Sequence, residues 1–352
     1  MGGSVDNAGT VPLGSGWIAF ALAGCQMRRR GLIALLGTAA AWPPAVRAQQ
    51  PGMPVVGYLC PESPGPFASR VRAFRDGLAE LGYVEGRNVV VEYRWAEGRY
   101  DRLPALAAEL ANQQVAVIAA PGGAPVALAA KSATATIPTV FEMGGDPIAL
   151  GVVGSLNRPE GNLTGVSSLN VEASLKRLEI LREVFPTAVV LGAVVNPTSP
   201  TAASQVRNLQ TAADALGVRL HVLEASTEPQ FDAVFAAVPG LGASGLVFTS
   251  DPFFAFRSER LAALTVRHAV PAITQSRDFP IAGGLMSYGG DFAQSHRQTG
   301  VYTGRILKGE KPSELPVQRV TKLELFINLK AAKGFGTSVP LSLLARADEV
   351  IE

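Results

Sequence analysis

The chain has 352 residues, 47% of them hydrophobic and 17% charged, and 31 Lys+Arg against 29 Asp+Glu leave a net charge of +2. That length suffices for one large domain or two medium ones, the apolar content argues against disorder, and the near-neutral balance argues against a broad nucleic-acid-binding surface. Two cysteines cannot build a disulfide framework or a structural zinc site, and three scattered histidines leave little for metal catalysis, so no metal or cofactor is expected.

Residues 1–48 read as an upstream extension followed by a signal peptide. Met27, Arg28, Arg29 and Arg30 form a basic start, 31–42 an apolar run of about a dozen residues, and Val46-Arg47-Ala48 a small-residue cleavage site. A bilayer span needs about 20 apolar residues, so cleavage near Ala48 and release into the periplasm are expected. Leu22-Ala23-Gly24-Cys25 matches a lipoprotein box but lacks a basic start, which disfavours a lipid anchor at Cys25. Arg29-Arg30 leaves the general and twin-arginine export routes both open. Cys60, on or beside a strand, is expected to be a small buried hydrophobe.

Beyond the leader, apolar β-branched runs fall at 54–59, 88–93, 115–119 and 138–141, then at 189–195, 219–223, 245–249 and 271–274. They do not alternate, which predicts parallel strands buried on both faces. Between them lie apolar stripes at helical spacing: Val71/Phe74/Leu78/Leu81, Leu103/Leu106/Leu110, Leu175/Leu178/Leu181, Val206/Leu209/Ala213/Leu216 and Phe231/Val234/Phe235/Val238. The wider interval at 144–188 breaks the repeat and suggests an α/β protein of two lobes joined by a crossover. Eight βα units closing into a barrel is the alternative that pattern alone leaves open.

Ligands of open parallel sheets gather at the carboxyl ends of strands, where loops and helix N-termini offer free N–H groups. Those positions hold Ser63 after the first strand, Gly122 and Gly123 after the third, Asp146 after the fourth, Asn196 after the fifth and Asp251 after the seventh. An Asp or Asn before Pro also caps helices, so capping and ligand contact are both expected of Asp146, Asn196 and Asp251. Gly122-Gly123 permits close backbone approach, or makes a tight turn. Phe253, Phe254 and Phe256 either cover an apolar ligand or fill a core. Arg94 is read as an ion-pair partner of Glu97 or Asp101, with a carboxylate clamp as the alternative. The histidines His221, His268 and His296 read as structural or solvated. No nucleophile elbow, phosphate loop or zinc-protease motif is present, so no catalytic residue is assigned.

Several segments resemble bacterial ABC transporter substrate-binding proteins, the family that includes tryptophan- and tyrosine-binding lipoproteins. They are Phe74-Arg75-Asp76-Gly77-Leu78-Ala79-Glu80-Leu81-Gly82-Tyr83, Glu92-Tyr93-Arg94-Trp95-Ala96-Glu97-Gly98, Asp101-Arg102-Leu103-Pro104, Gly161-Asn162-Leu163-Thr164-Gly165, Gly283-Gly284-Leu285-Met286-Ser287-Tyr288-Gly289 and Ser342-Leu343-Leu344-Ala345-Arg346-Ala347-Asp348-Glu349. The resemblance implies the type I periplasmic binding protein fold: two Rossmann-like lobes, a hinge of three crossings near 164–168, 287–290 and 325, and ligand in the cleft. The lobes would then be 53–164 plus 288–325, and 165–287 plus 326–352. Ser63, Gly122, Gly123 and Asp146 would face Asn196, Asp251 and Gln275 across that cleft. For an amino acid, hydroxyls and backbone N–H groups would hold the carboxylate, and Asp251 or Asp146 the ammonium. The implied partners are a small-molecule ligand and an inner-membrane ABC permease, with no nucleic acid and the protein a monomer. A periplasmic sensor for a receptor partner shares every such feature, and a periplasmic enzyme would need a nucleophile or acid–base pair that the sequence does not offer.

Overall fold

Residues 52–168 and 170–352 are described by the computed structural model, so the targeting segment expected at 1–48, Cys25 included, lies outside the described residues. The chain first lays down β1 (Val55–Cys60), β2 (Val90–Trp95), β3 (Val117–Pro121), β4 (Thr139–Met143) and β5 (Leu163–Ser168). It continues with β6 (Val190–Val195), β7 (Arg219–Glu224), β8 (Leu246–Phe248), β9 (Ala272–Thr274) and β10 (Met286–Gly290). It closes with β11 (Gln318–Val320), β12 (Leu323–Asn328) and β13 (Glu349–Ile351).

These strands make two sheets, ordered β11-β5-β4-β3-β1-β2 and β13-β12-β10-β9-β8-β6-β7. The first is parallel throughout, and in the second only the β10–β12 pair runs antiparallel. The expected strand groups thus form two separate sheets, and the barrel alternative is overturned. Strands β3, β4 and β5 are buried at every position, as strands covered on both faces should be. β7 departs from that expectation: it is an edge strand in which only Leu220 is buried, the other positions being half-buried or exposed.

Helices cover both sheets with the stripes legible in the sequence. Helix Pro64–Glu80, with Pro at its start, buries Phe67, Val71, Phe74 and Leu78, and it packs against helix Phe292–Leu307. Their crossing is closed by glycines: a Cβ on Gly77 would overlap the carbonyl of Arg297, and one on Gly300 the carbonyl of Phe74. The second lobe carries two cores, one around Leu178, Leu181 and Leu209 and one built on Phe231, Phe235, Phe248 and Phe254. Phe253 and Phe254 belong to that second core. Cys60 is a buried free thiol inside the first-lobe core.

The chain passes between sheets after β5, after β10 and between β11 and β12. Strand continuity puts these passages at strand ends, so 165–168 stay with the first sheet and 288–290 and 323–325 with the second. No helix among the described residues is long and apolar enough to cross a membrane.

Candidate ligand-binding site

Two of the three passages, after β5 and at β10, are knitted together by one buried cation. Arg177, fully buried on helix Ala173–Val184, donates from Nη1 to the Tyr288 carbonyl (2.9 Å) and from Nη2 to the Asn170 carbonyl (3.0 Å), Ser174 Oγ (2.6 Å) and Ser250 Oγ (2.7 Å). Asn170 in turn accepts from the Gly290 N–H (2.8 Å) and donates to Ser168 Oγ (3.0 Å). Burial pulls the Arg177 guanidinium down to about 9, and its ring of oxygens compensates the lost hydration.

Above this knot the carboxyl ends of both sheets face each other around a narrow cavity. Arg70, Gly122, Gly123 and Glu142 line it from the first lobe, and Ser199, Ser250, Asp251 and Gln275 from the second. Glycine is required after β3: φ is +117° at Gly122 and +95° at Gly123, and a Cβ at Gly123 would stand 2.8 Å from Pro252 Cγ of the opposite lobe.

Asp251 is 1% exposed and joins the lobes. Its Oδ1 accepts from Tyr100 OH of the first lobe (2.7 Å), from Asn196 Nδ2 (3.1 Å) and from the Phe253 N–H (3.0 Å), while Oδ2 is buried without a partner. Burial raises its carboxyl above the usual range, opposed by the Tyr100 and nearby Ser199 hydroxyls, the Asn196 amide and the Phe253 N–H. A second bond between lobes runs from Arg257 Nη1 to Glu62 Oε1 (2.7 Å), and Arg257 Nε also meets Glu228 (3.0 Å).

Glu142, near the end of β4, is 3% exposed, and its Oε2 accepts only the Gly122 N–H at 3.3 Å. Burial pushes its carboxyl up to about 7. His296 is buried as well: Nδ1 donates to the Phe292 carbonyl (2.8 Å), which leaves Nε2 as an acceptor without a partner. Burial, then the nearby Arg70 charge, push its imidazole down to about 3, so the ring is neutral.

Of the residues expected at the site, Gly122, Gly123, Asp251 and Gln275 line the cavity, Gln275 donating to the Asp251 carbonyl at 2.9 Å. Ser63, Asp146 and Asn196 do not line it. Ser63 is the half-buried N-cap of helix Pro64–Glu80. Asp146 is exposed and accepts from the Ile148 N–H (2.8 Å) and the Ala149 N–H (3.3 Å), a local turn. Asn196 lies behind Asp251. Phe256 lines the cavity, unlike Phe253 and Phe254. Arg94 pairs with Glu109 (3.0 Å) and Glu92 (3.3 Å), not with Glu97 or Asp101, because its strand direction aims it at helix Leu103–Asn112. Sequence reasoning missed Arg70, Glu142 and Tyr100 and set His296 aside.

Two α/β lobes, linked by three passages and closed over a polar cavity, define the class of periplasmic solute-binding proteins. The chain belongs to the ABC transporter substrate binding protein family, whose model matches residues 63–351. Among solved structures it is similar to a conserved domain protein from Vibrio cholerae, with 27% identity, a TM-score of 0.78 and coverage of 85% of this chain and 99% of that one. It is also similar in fold to an ABC domain from Streptococcus pneumonia in complex with L-Trp (23% identity, TM-score 0.76, coverage 85% and 99%). A 5-methylthioribose transporter solute binding protein from Thermotoga lettingae shares the fold at 16% identity, with a TM-score of 0.55 and coverage of 83% and 97%. No curated protein matches the chain. Its role is that of a solute-binding component of an ABC transporter, and its family is not an enzyme class.

Proposed function

We propose that the chain captures an amino acid or small aromatic compound between its lobes in the periplasm, as a monomer freed by cleavage near Ala48, and hands it to an inner-membrane permease without chemically altering it. The observation that carries this reading is the unpartnered, buried Oδ2 of Asp251 at a cavity framed by both lobes. A buried acceptor without a donor costs about 1–3 kcal/mol, a deficit that a ligand donor such as an ammonium group removes. Gly122, Gly123 and Gln275 are the further contacts, and Asn196 acts through Asp251. Ligand that touches both lobes favours the closed arrangement, and that differential contact is what shifts the population.

A thermal-shift screen of amino acids, aromatic acids, nucleosides and sugars tests this. A ligand that binds only the folded state adds about 2.7 kcal/mol at a hundred times its Kd, so one chemical class should raise Tm, and Asp251→Ala should erase the rise. A folded protein that answers to no class would remove the basis for solute capture in the cleft.

A further inference from the structure

Arg70 is a buried charge in an apolar setting. It sits on the apolar stripe of helix Pro64–Glu80, three residues after Phe67 and four before Phe74, and is 6% exposed. Its guanidinium lies over rings from both lobes, its Cζ 4.0 Å from the centre of Phe256 and 4.5 Å from that of Phe292. Aromatic faces hold a cation in place but leave its in-plane N–H donors free. Among the described residues it donates no hydrogen bond to a protein atom, and its one ionic neighbour is the exposed Asp278, 3.9 Å away. In Arg177, by contrast, both terminal nitrogens are spent on protein oxygens. A buried, positioned guanidinium that faces a cavity with its donors unspent is half of a fork-to-fork pair.

We infer that Arg70 is the anion subsite of the cleft, and that the captured solute carries a single carboxylate there. A dianion such as a phosphate ester is disfavoured, because Glu142 and Asp251 line the same cavity and Arg70 is the one charged donor on its wall. The polarity of the ligand is then fixed: carboxylate toward the first lobe at Arg70, and a hydrogen-bond donor toward Asp251 in the second. Each end would satisfy a group that its own lobe leaves unpaired, so only a solute bearing both would bridge the lobes. This inference rests on reading the cleft as the ligand site and adds the group that sets solute class.

The test is titration calorimetry of the full chain with L-amino acids, their carboxamides, the corresponding phosphate monoesters of amino alcohols, and D-glucose and adenosine as neutral probes. The amino acids should bind at least tenfold more tightly than the matching carboxamides or phosphate monoesters. In Arg70→Gln the preference for acid over amide should fall to about one, while Arg70→Lys keeps part of it. Equal binding of acids and amides by the unaltered chain would overturn the inference and leave solute capture standing, and so would tight binding of glucose, adenosine or a phosphate monoester. An unchanged preference in a folded Arg70→Gln would also overturn it. Failure of every probe to bind would overturn both readings.

Discussion

At the scale of single residues, the cavity wall contains two ionisable groups pushed in opposite directions by the same burial. Glu142 rises from 4.5 to about 7, so the folded state holds its proton more tightly than the unfolded chain does. Its stabilising contribution is present below pH 4.5 and is lost as pH rises through 7. His296 falls from 6.5 to about 3, so its contribution is present above pH 6.5 and is lost as pH falls through 3. Between pH 4.5 and 6.5 the two slopes have opposite sign and cancel. We therefore expect the unliganded protein to show little net dependence on these groups in that window. Glu142→Gln should unmask a stability that climbs with pH there, and His296→Gln one that declines, each by on the order of 2–3 kcal/mol across the window. Urea midpoints at pH 4.5, 5.5 and 6.5 measure both, and parallel profiles for the two variants would show that burial at these sites is not what holds the protons.

At the scale of elements, the glycines between helices Pro64–Glu80 and Phe292–Leu307 set how closely two backbones approach. Alanine gains about 1 kcal/mol over glycine inside an exposed helix, yet here the added methyl meets a neighbouring carbonyl that is part of another helix. Gly77→Ala and Gly300→Ala should each destabilise by roughly 1–3 kcal/mol, read from denaturant midpoints at constant m-value. A gain in stability from either substitution would mean that the helices can separate freely. Such packing leaves little trace in periodicity. The runs that produced β1 to β4 and β6 to β9 were legible because they are apolar and β-branched. β5 reads Leu-Thr-Gly-Val-Ser-Ser and β10 reads Met-Ser-Tyr-Gly-Gly, compositions of turns rather than strands, and only pairing in the finished sheet makes them extended. The site shows the same limit. Gly122, Gly123 and Asp251 are legible because they stand in the loops that follow the carboxyl ends of strands, and Gln275 through the family resemblance. Arg70 and Glu142 stand within apolar patterns, a charge on a helical stripe and a charge in the run Val140-Phe141-Glu142-Met143, and that interruption was the available signal. Tyr100 was invisible, because its partner Asp251 lies 151 positions away.

At the scale of the whole molecule, the lobes meet through a small set of polar bonds that include Glu62 to Arg257 and Tyr100 to Asp251. Burial raises the Glu62 carboxyl, and the Arg257 guanidinium opposes the rise. Removing one member of a buried pair strands the other and costs about 3–5 kcal/mol. In a two-lobed protein much of that cost is avoided by opening, which lets water reach the stranded carboxylate. Arg257→Ala should therefore enlarge the radius of gyration of the unliganded protein and weaken ligand binding tenfold or more, since apparent affinity scales with the closed fraction. Small-angle scattering with and without ligand checks this, and identical curves for variant and parent would show that the pair does not govern closure.

The passages between lobes also govern the order in which the protein can be completed as it is made. β5 remains a bare sheet edge until β11, at Gln318–Val320, arrives beside it. Val117 and Val140 remain uncovered until Tyr302 and Ile306 of a late helix reach them. The lobe that begins first is thus finished among the last, with contacts between segments separated by well over a hundred residues, the kind of topology that folds slowly. A nascent chain lacking its final fifth exposes apolar surface and an unpaired edge. Such a chain leaves its first lobe unfinished until synthesis is nearly over, and with it a bare strand edge able to pair with a second copy.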